Sequence, residues 1–273
     1  MSFARSSPII AVFAVLAPVC AGEMDVAFAR LYNFDFPGAH VILNRATAAS
    51  PDDPFPHSIR ASAYLFYELD RLGILESEFF ADDKRIVERK KLKPDPGVRT
   101  LLFKAVNESQ ARAQKLLSAN AGDTNALFSL CITYGVVTDY TALVEKRQIS
   151  SLSSVKRSTG YAQRLLKADP TFYDAYLSTG LADYLIGSLP FFVRWFVRID
   201  DIKGSKDQGI RNLTLAAQQG RYLKPFAKIV LTLLNIREKK PREAHVTLAE
   251  LTRDFPENPL FRKELEKLTQ RLR

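Results

Sequence analysis

Cysteine is almost absent from this chain: two residues in 273, Cys20 and Cys131. That excludes a small disulfide-stapled scaffold, and if the first 21 residues are removed as argued below, only Cys131 remains and stability must come from packing. Histidine is nearly as scarce, with His40, His57 and His245 far apart and none in a ligand spacing such as H-E-x-x-H. Each reads as an isolated surface or core histidine, and no metal is expected. Cys131, in "LFSLCITYG", sits on an apolar helical face with no base nearby in sequence, so it reads as a small buried hydrophobe. The run "KGSKDQG" from Lys203 to Gly209 lacks the preceding strand and the residue order of a nucleotide loop, and reads as a turn between helices. The adjacent pairs Asp52–Asp53 and Asp200–Asp201 fall at turns, where capping explains them better than acid–base work. With no constellation for a named reaction, the chain reads as a binding protein and not an enzyme, with no catalytic residue and no cofactor expected.

Long hydrophobic runs are missing as well. The N-terminal "MSFARSSPIIAVFAVLAPVCAGEMD" has a short basic region at Arg5, an apolar region from Pro8 to Leu16, and Val19-Cys20-Ala21 before a cleavage point after Ala21. Its apolar part is well short of the roughly 20 residues that span a bilayer. Residues 1–21 therefore read as a signal peptide and 22–273 as the mature domain. The expected location is outside the cytoplasm, in a bacterial periplasm; secretion stays open, as does lipid attachment through Cys20, although "LAPVC" departs from the small-residue preference of that signal. The formal charge is +9, from 39 basic and 30 acidic residues. The basic residues are spread along the chain, and the densest run, "KRIVERKKLKP", lies beside the acidic "ESEFFADD". No zinc-finger spacing or aromatic RNA-binding signature accompanies them, so no nucleic acid partner is expected.

What is present is helical periodicity. After Gly22 apolar residues recur at intervals of three and four, no stretch alternates as a strand does, and Pro- and Gly-containing turns separate segments of helical length. An all-α fold follows. Two segments overlay without gaps, "DFPGAHVILNRATAASPDDP" and "KKPREAHVTLAELTRDFPENP", with Ala39, Leu43, Ala46 and Pro51 matching Ala244, Leu248, Leu251 and Pro256. A small residue lets two helices approach, a leucine one turn later fills the groove, and a proline stops the helix before its successor turns back. "YAQRLLKADPTFYDAYLSTGLADY" has the same cadence, and a looser copy runs through "ARAQKLLSANAGDTNALFSL". This pattern resembles the second helix and turn of a tetratricopeptide repeat. It departs from that family in its irregular spacing and in Thr232, where Gly or Ala is preferred. A weaker similarity, in Leu189-Pro190 and Gly204 to Gly209, is to the eukaryotic inclusion-clearance family of tetratricopeptide proteins. The resemblance implies an α-solenoid of degenerate helix pairs with inserted helices, displaying a concave surface to a protein or peptide.

Two stretches are the candidate partner-binding regions. "GSLPFFVRWFVRIDDIKGSK", Gly187 to Lys206, holds the single tryptophan. A helix over Pro190–Ile199 is about 15 Å long, half of a hydrocarbon core, so it cannot span a membrane. Phe192, Phe196 and Ile199 share one face, while Arg194 and Arg198, one turn apart, flank Trp195 and Phe191. Trp and Arg of this kind anchor interfaces; a packed inserted helix is the plainer alternative, and contact with an anionic membrane surface is a further one. The second stretch, "DYTALVEKRQISSL", offers Tyr140 and Arg147 either to a groove or to a solvated turn with local ion pairs.

Overall fold

The computed structural model describes residues 19–76, 93–188 and 204–273. Among them are eleven α-helices and no strand: α1 Val19–Tyr32, α2 Phe36–Ala49, α3 Phe55–Arg71, α4 Pro96–Ala119, α5 Thr124–Asp139, α6 Gln148–Ala168, α7 Tyr176–Ser188, α8 Lys206–Gln219, α9 Lys224–Arg237, α10 Pro241–Asp254 and α11 Pro259–Leu272. A π turn, Tyr140–Val144, extends α5, and a 3-10 turn, Tyr173–Ala175, precedes α7. The protein is all-α, as the periodicity predicts. The helix α1 runs without interruption through Ala21 and Gly22.

Helix starts follow capping chemistry. Asp123 accepts the Ala126 N–H, and Asp53, two positions ahead of α3, takes the Phe55 N–H. Asp35, Asp95, Ser205 and Asn258 cap α2, α4, α8 and α11 in the same manner. Ser188, ahead of Leu189-Pro190, is the last residue of α7 and donates its hydroxyl to the Tyr184 carbonyl at 2.7 Å.

The even-numbered helices share one ending. The residue after each, Ser50, Asn120, Asp169, Gly220 and Phe255, donates its N–H to the carbonyl four residues back, at 2.8–3.0 Å. In four of the five, the carbonyl of that same residue then accepts the N–H three residues on: Asp53, Asp123, Phe172 and Asn258. Proline occupies the second position of three of these turns, Pro51, Pro170 and Pro256, where its fixed φ suits the turn. The overlaid positions Ala39, Leu43 and Ala46 of α2, and Ala244, Leu248 and Leu251 of α10, are all buried. Ala113 of α4 and Ala162 and Leu165 of α6 are buried too. Thr232 lies buried in α9 with its hydroxyl bonded to the Lys228 carbonyl at 2.9 Å, which is how a polar residue is tolerated there.

Each described helix packs on its neighbour in sequence, and α3 also packs on α1 and α5. Odd-numbered helices contribute aromatic rings that meet in the interior. Phe55 lies 5.4 Å from Phe128, Phe128 lies 4.8 Å from Phe172, and Phe66 lies 5.5 Å from Phe226. The first helix closes this chain of rings: Phe28 stacks on Tyr222 at 5.1 Å, and Tyr32 packs on Phe255 at 5.3 Å. Polar contacts pin the same closure. Tyr32 donates its hydroxyl to the Tyr222 carbonyl, Asn258 donates its amide to the Tyr32 carbonyl at 2.7 Å, and Arg221 pairs with Asp25 at 2.7 Å. Burial holds the Tyr32 phenol far above its ordinary pKa. One described span, Thr124–Val144, is long and apolar enough to cross a membrane, but more than half of it is buried within the protein.

Candidate functional site

Several of these turns meet around a cleft of about 340 Å³. It is lined by residues next to four of the helix-to-helix turns: Phe55 after the first, Thr124 and Asn125 after the second, Asp169 to Asp174 in the third, and Gln219 to Tyr222 in the fourth. Phe55 and Phe128 are buried beneath it, while Phe172, Tyr173 and Tyr222 are half-buried along its walls. Five rings in so small a volume give an aromatic floor.

Asp174 holds two of these turns together. The α9 start has no capping side chain of its own, since Leu223 stands at that position. Asp174 reaches across from the 3-10 turn and accepts the N–H groups of Leu223 at 2.6 Å, Tyr222 at 2.9 Å and Arg221 at 3.1 Å. Burial raises its carboxyl above the ordinary range, against the pull of those three amides. Both oxygens are used, so Asp174 is a strut.

Two other carboxylates keep an oxygen unbonded by any described residue. Asp169 accepts Thr171 N–H at 2.8 Å and Thr171 hydroxyl at 2.6 Å through Oδ1 alone. The hydroxyl bond, then the amide bond, holds its carboxyl below the usual carboxylate range, so it is ionised at neutral pH. Asp53 accepts Phe55 N–H and the Asn125 side-chain amide, again through Oδ1. Arg221 is the one cation among the residues lining the cleft; it makes a two-pronged pair with Asp25 and lies 4.9 Å over the Tyr222 ring.

Two of the expected site residues, Tyr140 and Arg147, are described. Phe191, Arg194, Trp195 and Arg198 lie outside the described residues. Tyr140 is completely buried, edge-on to Phe103 at 5.5 Å, with no described partner for its hydroxyl. Its phenol is pushed up to about 12, chiefly by burial and then by Glu68. Arg147 is exposed and lies 3.7 Å from Glu145, which also binds Arg99. These two residues are separated into core and surface, and neither lines the cleft. Asp53, bonded to the lining Asn125, was visible in the sequence as a cap; the lining residues Arg221 and Tyr222 carried no signal, because their partners Asp25 and Phe28 are almost 200 positions away.

Elsewhere the chemistry is quiet. Burial pushes the Cys131 thiol up to about 11, and its sulfur faces the Ser158 hydroxyl. The described residues hold no grouping of three or more His, Cys, Asp or Glu side chains able to bind a metal ion. A second cavity, between α3, α9, α10 and α11, measures only about 70 Å³ and is mostly apolar. Comparisons with protein-family models, with curated proteins and with solved structures found no match to the chain.

Proposed function

We propose that this chain is an exported helical-repeat protein of the tetratricopeptide-like kind, which binds a protein partner and is not an enzyme. The observation that carries the reading is the recurring turn: the same two hydrogen bonds end α2, α4, α6 and α10, a buried small residue precedes each turn, and a buried leucine accompanies it in α2, α6 and α10. Repetition of one supersecondary unit, each packed on its neighbour, is how a solenoid is built, and repeats of this kind serve to present surfaces to partners. Export rests on the signal-like residues 1–21, and the working site is the aromatic-floored cleft where the turns converge.

A photo-crosslinking amino acid at Gln219, an exposed residue of the cleft, tests the binding role in the native host. A discrete crosslinked protein, absent when the same group is placed at the exposed Glu266 on α11, is the expected result. Equal crosslinking at both positions sinks the assignment of the cleft. Cell fractionation of the same strain tests export, which fails if the full-length chain stays in the cytoplasm.

A further inference from the structure

Resting on that reading, we propose that the cleft takes a lysine or arginine side chain from an extended peptide segment of the partner. Three features carry this. The walls are the half-buried rings of Phe172, Tyr173 and Tyr222, set over the buried Phe55 and Phe128, and such rings attract a cation with their faces and pack an aliphatic stem along their surfaces. Asp169, which lines the cleft, and Asp53, which stands behind the lining Asn125 and accepts its amide, each keep an Oδ2 that no described residue bonds, and no described cation pairs either carboxylate. The protein already makes this contact with its own chain at the same wall, where Arg221 sits over Tyr222 with Asp25 as counter-charge.

Alternatives fare worse on the same geometry. An anion would enter beside uncompensated carboxylates, although the chain as a whole is basic. A neutral apolar group would strip water from Asp169 without replacing it. A volume of about 340 Å³ admits one long side chain and a short length of backbone, for which the Asn125 and Gln219 amides and the Thr124 hydroxyl are donors and acceptors at the rim.

Calorimetric titration of the full chain tests the inference with three ligands: a capped octapeptide of alternating lysine and alanine, its glutamate counterpart, and spermidine. The lysine peptide is expected to bind, more weakly as salt rises, and to lose at least tenfold in affinity in the Asp53→Asn, Asp169→Asn variant. Asparagine keeps the Oδ1 acceptor that each turn needs, and circular dichroism verifies that the variant is folded. Absent binding, an unaffected variant, or equal binding of the glutamate peptide overturns the proposal, and full displacement by spermidine overturns the peptide as source in favour of a free amine. A crosslink at Gln219 together with any of these failures would remove the cationic ligand while leaving the cleft as the binding site; loss of both would remove the cleft itself.

Discussion

At the scale of single residues, the segment after α5 concentrates unpaired polarity. The Tyr140 hydroxyl is buried with no hydrogen-bonding partner among the described residues. Tyr140→Phe removes that hydroxyl without changing the ring, so chemical denaturation is expected to show equal or higher stability, by up to about 1–2 kcal/mol. A loss of stability would mean that the hydroxyl has a partner. Beside it, burial pushes the Asp139 carboxyl up to about 7. A carboxyl raised in the folded state binds its proton more tightly than in the unfolded chain. Its contribution to stability is therefore fully present below the unfolded pKa, near 4, and is lost as pH rises through about 7. Asp139→Asn mimics the protonated acid: thermal melts should show stabilisation on the order of 1–3 kcal/mol at pH 8 and no difference at pH 4. A pH-independent effect would rule the mechanism out.

Between elements, the tightest contact joins α7 and α8 through glycine. A Cβ on Gly209 would stand 2.5 Å from the Tyr184 backbone nitrogen, and one on Gly180 would stand 2.9 Å from the Gly209 carbonyl oxygen. Backbone meets backbone here, so no flexible side chain can yield. Gly209→Ala would gain helix propensity of about 1 kcal/mol, but forcing the helices apart costs about 1–3 kcal/mol in a packed core. Asn212, bonded across the same crossing to Thr179 and Asp183, would be displaced with them. Net destabilisation in urea melts is the expected outcome, whereas the same substitution at the open Gly160 should be neutral or stabilising. Stabilisation at Gly209 would show that α7 and α8 are not in backbone contact.

For the whole molecule, the first helix decides how cooperative the fold is. A solenoid whose units touch only their neighbours can unfold from its ends. Here Phe28 and Tyr32 tie α1 to the turns before α9 and α11, so the two ends of the described chain depend on one another. A single cooperative transition is expected, with coincident curves from circular dichroism and from tyrosine fluorescence. Phe28→Ala should cost about 3–5 kcal/mol and split that transition, because it opens the ring contact with Tyr222 and Phe55. Two transitions in the unmodified protein would disprove the closure.

Much of this architecture was legible in the sequence because it is local. The intervals of three and four predict the helices, the Asp52–Asp53 pair predicts capping at its turn, and the Ala–Leu–Pro cadence marks buried positions and turns, since each depends on neighbours within about one helical turn or one tight turn. The cleft was not legible. Asp174 looks like any acid in a helix-starting turn, and only the fold shows it bonding three amides some 48 positions away. Tyr140 and Arg147 looked equivalent as candidates, but Tyr140 packs from the π turn onto Phe103 in the core while Arg147 stands exposed at the start of α6. The sequence by itself determined the helical class and the rhythm of its turns, both set by short-range sterics and hydrogen bonding. Which rings meet, which carboxylates keep a free oxygen, and where the first helix docks were decided by tertiary structure, because burial and charge pairing join residues that the chain order keeps far apart.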